Sequence, residues 1–286
     1  MSEPPGVSDV ESDDAKLVCR LNEAAFGPHP GSWPLPTATC PRQLWLRAVA
    51  AGGQGRYGSA YADLALLRRQ VNAGPLASLA HSTQGSFLRQ LGWHARARGW
   101  DGRALALAGD DPEAQADALV GLAADALGIG RLAAAGALLT RADAALDGVE
   151  LPAATAERLT VRRGWVGAEL AMASGDGPTA VARAEETLRQ AQAMTNASAR
   201  HLIKSEVVLA AALCSAGAVE RARSVAQRAL QATGPHRLLP LRWALACLLM
   251  DTGNVTVPEQ GLPELAEIRD ICAGEVQRAG GNWRTA

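Results

Sequence analysis

The chain has 286 residues, a net charge of −1 and a pI near 6.5, so its overall charge attracts neither nucleic acid nor an anionic membrane. Hydrophobic residues make up 48% of the sequence but aromatic residues only 4%, and the apolar content is mostly Ala, Leu and Val. Ala and Leu favour helices, whereas the strand-favouring Phe, Tyr and Ile are scarce. The composition therefore predicts an all-α fold and argues against a large sheet.

Cysteine usage and hydropathy predict where the protein resides. Five widely spread cysteines include no Cys-x-x-Cys pair, which argues against a disulfide framework and fits a reducing cytosol. The N-terminal residues lack the apolar run of a signal peptide. No charge-free apolar run is long enough for a transmembrane helix. These features predict a soluble cytoplasmic protein that does not enter a membrane.

The first 40 residues predict a tail, a short helix and a linker. Residues 1–16 are polar and acidic and are predicted to be disordered, although folding back onto an Arg-bearing surface is an open alternative. Apolar residues at helical spacing predict a helix from Lys16 to Phe26, and this helix and the linker after it make up the segment 17–40. Residues 27–36 are too rich in proline for regular structure and predict a linker that packs on the next domain through Trp33.

From Pro41 onward, apolar stretches with helical spacing alternate with short breaks rich in Gly, Pro, Asn and Asp. The predicted breaks lie at 52–55, 72–75, Gly99, 109–112, 128–130, 148–152, 174–177, Gly217, 233–235 and 253–258. Roughly a dozen helices joined by short loops implies that consecutive helices are antiparallel neighbours.

Three sets of residues recur in the same order along this region. In each set a Leu is followed eight residues later by Gly and thirteen residues later by Ala. The sets are Leu91, Gly99 and Ala104; Leu122, Gly130 and Ala135; and Leu209, Gly217 and Ala222. The pattern predicts that the Leu of one helix packs closely on the Ala of the next, and that the Gly ends the first helix with a positive φ.

This pattern resembles the tetratricopeptide repeat (TPR), in which Leu-Gly, an aromatic residue and Ala recur at these separations. The resemblance covers about residues 41–230, with a degenerate last pair to about residue 279 and a flexible tail at 280–286. With Ala60 of an earlier helix pair added before these three, the aligned alanines are 44, 31 and 87 residues apart, whereas the family repeats every 34. The protein is therefore more similar to the irregular TPR-like proteins of bacterial regulators, and the resemblance implies a right-handed superhelix of antiparallel helix pairs with a concave face.

The resemblance also places the first helix of each pair on that concave face. On this register, eight residues are predicted to face inward and bind a partner: Arg42, Trp45, Arg89, Trp93, Arg96, Arg162, Trp165 and Lys204. An Arg fork holds a carboxylate and an indole supplies apolar area. The predicted function is thus a scaffold or adaptor that binds a protein segment with acidic and apolar anchors, either as a helix or extended. The alternative for these residues is Trp packing between helices and solvated Arg.

No residue pattern predicts an enzyme, a cofactor or a metal site. The five histidines lack metal-ligand spacing, and no Walker, G-x-S-x-G or strand-linked G-x-G-x-x-G motif occurs. Asp111-Pro112-Glu113 predicts a helix start, with Asp as the cap and Pro in the first turn.

A regulatory repeat protein associated with nucleic acid is the alternative function. Clusters of Arg such as Arg158, Arg162 and Arg163 favour phosphate contacts, whereas the near-neutral net charge argues against them. Absence of binding to nonspecific DNA or RNA at low salt would exclude this alternative.

Overall fold

The computed structural model describes residues 7–253 and 262–284, and these residues form thirteen α-helices and no strand. In chain order they are α1 (Val7–Phe26), α2 (Pro41–Gly53), α3 (Tyr57–Gln70), α4 (Pro75–Gln90), α5 (His94–Leu107), α6 (Pro112–Gly128), α7 (Leu132–Leu146), α8 (Ala153–Ala173), α9 (Gly177–Gln192), α10 (Ala199–Ser215), α11 (Val219–Thr233), α12 (Leu239–Gly253) and α13 (Leu262–Arg278). The all-α prediction is confirmed for these residues. None of these helices is both long enough and apolar enough to span a bilayer.

From α2 onward, the helices pack as six consecutive pairs, α2 with α3 through α12 with α13. The first helices of successive pairs (α2, α4, α6, α8, α10 and α12) also contact one another in that order. Short loops between paired helices make the two members of a pair antiparallel. The predicted adjacency of helix pairs is therefore confirmed.

A glycine with a positive φ lies in the turn of each of the first five pairs. These glycines are Gly55, Gly92, Gly130, Gly175 and Gly217, with φ between 75° and 87°. Five residues after each one comes a completely buried alanine: Ala60, Ala97, Ala135, Ala180 and Ala222. The alanines are 37, 38, 45 and 42 residues apart. A small side chain at this point lets the second helix of each pair approach the first closely.

The predicted register is right for the sets at Gly130 and Gly217 and wrong for the set at Gly99. Gly99 lies inside α5 and is exposed, and the turn is made at Gly92. In this Ala-rich sequence, Leu91, Gly99 and Ala104 have the spacing of the other two sets but lie out of phase with the turn at Gly92. Because one Gly inside a helix costs only about 1 kcal/mol, its presence does not by itself mark a helix end.

The N-terminal helix is longer than predicted. It begins at Val7 rather than at Lys16, and residues 1–6 lie outside the described part. Asp14 accepts a hydrogen bond from Nε2 of Gln43 at 2.6 Å, which ties this acidic segment to α2. The linker that follows packs on the repeat as expected, with the Arg56 guanidinium 4.0 Å from the Trp33 ring centroid.

Residues 280–284, which the sequence analysis assigns to a flexible tail, pack on the helices in this structure. The ring of Trp283 stacks on Trp243 with 4.4 Å between centroids. The backbone N–H of Arg284 donates to the carbonyl of Leu91 at 2.9 Å. Residues 285–286, and most of the predicted break at 253–258, lie outside the described residues. A further break at 193–198, between α9 and α10, was not predicted.

The last helix pair contacts the first, so the six pairs close on themselves. Val276 of α13 belongs to the apolar core that α2, α3 and α4 share. The backbone N–H of Gly58 donates to the carbonyl of Ala279 at 2.7 Å. Val276 Cγ2 would lie 2.9 Å from a Cβ added at Gly55, in the turn between α2 and α3. This closure places the first helices around a common interior.

Substitution of two glycines distinguishes the two registers. Gly99→Ala is expected to raise the free energy of unfolding by roughly 0.5 to 1 kcal/mol, because a mid-helix glycine loses backbone entropy on folding. Gly217→Ala is expected to lower it by about 1 kcal/mol, because a side chain is strained at φ +79°. An added Cβ meets no atom within 4 Å at either position, so sterics do not confound the pair. Urea unfolding of both variants measures the signs, and equal signs would contradict the register.

Candidate functional site

A cavity of about 460 Å³ lies among the six first helices. Its size falls within the range of small-ligand pockets. Each first helix contributes lining residues, among them Gly53 of α2, Arg89 of α4, Val120 of α6, Trp165 of α8, Lys204 of α10 and Trp243 of α12. The site is thus built from residues that are far apart in the sequence and that meet only because the pairs close.

One end of the cavity is covered by the end of α1. A smaller cavity of about 40 Å³ adjoins it there and is lined by Phe26 of α1. Arg162, Arg200 and His201 line both cavities and separate them. The exposed lining residues, such as Gln90 and Gly128, mark where the larger cavity meets solvent.

Four of the eight residues predicted to bind a partner line this cavity. They are Arg89, Arg162, Trp165 and Lys204. Three of them are cations that already contact carboxylates: Lys204 Nζ lies 3.3 Å from Glu169, Arg162 Nε lies 3.1 Å from Asp117, and Arg89 Nη1 lies 3.0 Å from Asp125.

The other four predicted residues lie outside the main cavity. Trp45 is buried between helices and donates from Nε1 to Thr83 Oγ1 at 3.0 Å, and the exposed Arg42 covers its ring at 4.4 Å. Trp93 lies in the α4–α5 turn and donates from Nε1 to the carbonyl of Asn282 at 2.6 Å. Arg96 lies on α5, the second helix of its pair, and is exposed.

These misplacements have two physical causes. The sequence analysis placed the α4–α5 turn at Gly99 instead of Gly92. It therefore assigned Trp93 and Arg96 to the first helix of the pair. Trp45 is on a first helix as predicted but packs as core, because α1 covers it: its ring centroid is 5.4 Å from that of Phe26.

A buried charge cluster lies directly behind the cavity wall. Nη1 of Arg89 donates to both Asp101 and Asp125, whose side chains are fully buried. Burial raises the pKa of the Asp101 carboxyl; the Arg89 charge opposes this effect, and the nearby Asp125 charge adds to it. A proton on Asp101 removes the repulsion between the two carboxylates, so the cluster is stable with one of the two acids neutral.

Glycines make room for this cluster. A Cβ added at Gly85 or at Gly121 would lie 2.5 Å from a carboxylate oxygen of Asp101. These two glycines lie inside helices α4 and α6, where glycine costs stability, and the buried carboxylate explains their presence there.

A second ion-pair network lies at the partition between the cavities. Asp117 accepts hydrogen bonds from Nη1 of Arg158 at 2.9 Å and from the hydroxyl of Ser82 at 2.7 Å, and it forms an ion pair with Nε of Arg162 at 3.1 Å. Burial alone raises the pKa of Asp117, but the two Arg charges outweigh burial and hold that pKa well below its usual range. Arg158 also pairs with Glu113 at 2.8 Å. These arginines are therefore compensated by the protein itself.

Arg200 is a lining cation that the sequence analysis missed. Its Nη2 donates to the carbonyl of Ala25 at 3.0 Å, and its guanidinium lies 5.8 Å from the Phe26 ring centroid. Among the described residues, no carboxylate lies within ion-pair distance of it. Burial lowers the pKa of Arg200 to about 10, and the charges of Arg162 and Arg158 contribute, so the side chain stays cationic at neutral pH. Arg200 lies one turn before Lys204, a spacing that would have flagged it.

Aromatic rings form the apolar part of the wall. Trp165 stacks on His201 with 5.3 Å between centroids and donates from Nε1 to Ser205 Oγ at 2.8 Å. Burial, together with the charges of Arg200 and neighbouring arginines, lowers the pKa of His201 well below its usual value. His201 is therefore neutral at pH 7 and adds no charge. The described residues contain no group of three or more His, Cys, Asp or Glu side chains placed to hold a metal ion.

Comparison with known proteins does not assign the chain to a family. No protein-family model matches the sequence, and no curated protein is significantly similar to it. The functional argument therefore depends on the cavity itself.

The Asp101 carboxyl gives the protein a specific pH dependence. Its pKa is raised in the folded state, so the stabilising proton is bound below the unfolded-state pKa near 4 and is lost as the pH rises through the folded-state pKa. The free energy of unfolding of the wild type is expected to fall relative to that of Asp101→Asn between pH 5 and pH 9, by at most about 1.4 kcal/mol per pH unit. The Asn amide keeps a donor toward Asp125 without titrating.

Urea unfolding at several pH values measures this difference. Asp110→Asn makes the same chemical change at an exposed turn residue and serves as the matched control. Parallel pH profiles for wild type and Asp101→Asn would show that Asp101 is ionised throughout.

Proposed function

We propose that this protein is a cytoplasmic TPR-like protein, built as a short right-handed superhelix whose ends meet, and that it binds a short segment of a partner protein. The observation that carries the proposal is the cavity to which every first helix contributes. In a helical repeat each unit adds a strip of surface to a shared concave face. A common cavity at that face supports binding there by all six pairs at once.

The size of the cavity limits how much of a partner can enter it. Its volume of about 460 Å³ falls within the range of small-ligand pockets. A short part of a partner segment, such as a few residues or two side chains, therefore suits this space.

The chemistry of the wall favours an acidic and apolar segment. Trp165 and Trp243 supply apolar faces, and Arg200 supplies a cation without a carboxylate partner among the described residues. The other lining charges hold one another in place, as in the Lys204–Glu169 pair at 3.3 Å, which favours binding over acid–base catalysis. The same pairing speaks against nucleic acid, because paired cations do not neutralise phosphates.

Selection from a phage-displayed random-peptide library tests the proposal. Wild type is expected to enrich peptides in which an acidic residue neighbours an apolar one. Ala124→Trp fills the cavity from α6 and is expected to reduce the recovery of these peptides at least about tenfold, since an indole removes the space they occupy.

The control variant is Ala134→Trp, which makes the same substitution at an exposed position of α7. Thermal unfolding verifies that both variants fold, and Val207→Trp repeats the filling from α10 if Ala124→Trp does not fold. No enrichment on wild type, or equal enrichment on the filled variants, would rule out binding of a partner segment in the cavity.

A further inference from the structure

The charges around the cavity leave one cation unmatched. Among the lining cations, Lys204, Arg162 and Arg89 each contact a carboxylate at 3.3 Å or less. Arg200 contacts only a backbone carbonyl and an aromatic ring. A cation out of water costs free energy unless an anion or several hydrogen bonds compensate it. The site is therefore complementary to one negative charge.

The side chain of Arg200 is held in position before any ligand arrives. The Ala25 carbonyl at the end of α1 accepts from Nη2, and a Cβ added at Gly53 of α2 would lie 3.0 Å from Cδ of Arg200. The side chain thus lies between α1, α2 and its own helix, α10. An anchored guanidinium loses little entropy when it binds an anion.

Most of the donors of Arg200 remain available. A guanidinium has five N–H donors, and among the described residues only the bond to Ala25 uses one. No nitrogen of Arg200 is among the buried polar atoms that lack a partner, so the unused donors face open space, and Arg200 lines the cavity. Two parallel N–H donors match the two oxygens of a carboxylate.

The rest of the wall selects what carries that carboxylate. His201 is neutral and stacked on Trp165, and Trp243 is stacked on Trp283, so both indoles present fixed apolar surface. Glu169 lines the cavity half-buried and paired with Lys204, and its carboxylate repels a second negative charge. A monoanion with an apolar body therefore fits better than a dianion.

We propose that Arg200 receives the carboxylate of a monoanionic ligand whose apolar body lies against Trp165 and Trp243. The inference rests on the proposed function in that it takes the cavity to be a binding site. The same chemistry is available from an Asp or Glu side group of a partner segment, from the terminal carboxylate of a peptide, or from a free organic acid.

Matched pairs of ligands, with and without a carboxylate, test whether Arg200 binds that group. A panel of short aryl- and alkyl-alkanoates is titrated beside the corresponding primary amides, with affinities measured by ligand-observed NMR. Wild type is expected to bind the best acid at least about tenfold more tightly than its amide. Arg200→Met is expected to abolish this preference and leave the amide affinity unchanged, which shows that the cavity is intact. Arg200→Lys keeps the positive charge but lacks the two parallel N–H donors of the guanidinium, so it is expected to retain part of the preference for the acid.

Arg96→Met is the matched control, because it removes an exposed cation from α5 outside the cavity and is expected to change nothing. Equal affinity of wild type for acids and amides, an undiminished preference in Arg200→Met, or no binding of any acid in the panel would each overturn the proposal.

Peptides selected on wild type then distinguish the three possible sources of the carboxylate. Loss of binding on Asp→Asn or Glu→Gln replacement in the peptide identifies a side-group carboxylate, and loss on amidation of the peptide's last residue identifies a terminal carboxylate. If free acids bind but no peptide is selected, Arg200 receives a carboxylate as proposed, and the ligand is a free organic acid rather than a partner segment. If the selected peptides bind wild type and Arg200→Met equally, the cavity binds a partner segment but Arg200 does not receive its carboxylate.

Discussion

Close packing between the two helices of each pair is the constraint on which the rest of this molecule depends. It requires a turn glycine with positive φ, such as Gly130, and a buried alanine five residues later, such as Ala135. A side chain at the glycine would be strained at its positive φ, and a larger side chain at the alanine would hold the helices apart. With close pairs, six of them close on themselves, and the space left among the first helices is about 460 Å³ rather than an open groove.

Packing between neighbouring pairs has an electrostatic consequence, because it buries cations and carboxylates of α4, α5, α6 and α8. Asp101, Asp117 and Asp125 are compensated by arginines from other helices, and Gly85 and Gly121 leave room for one of these acids. A protonated Asp101 completes one cluster. Arg200 differs from the other arginines of the wall, because its compensation is a carbonyl and an aromatic ring. The interior is therefore balanced except where the proposed ligand binds.

The candidate site was predictable only in part. Arg89, Arg162, Trp165 and Lys204 follow from the register that the resemblance to the tetratricopeptide repeat implies, because it places the first helix of each pair on the inner face. Trp93 was misplaced because Gly99 imitates a turn glycine in an Ala-rich helix. Trp45 was misplaced because the helix that covers it, α1, begins at Val7 in a segment whose acidic composition predicts disorder.

The sequence by itself determined the helices, most of their breaks and the small residues that pair them, because each depends on residues within one or two turns of one another. Tertiary structure alone decided that the array closes and that Arg200 borders a cavity. These outcomes depend on contacts such as Arg200 with Ala25 and Trp93 with Asn282, which are 175 and 189 residues apart in the sequence. Local periodicity carries no information about such distant pairs, and the packing of all six helix pairs together brings them into contact.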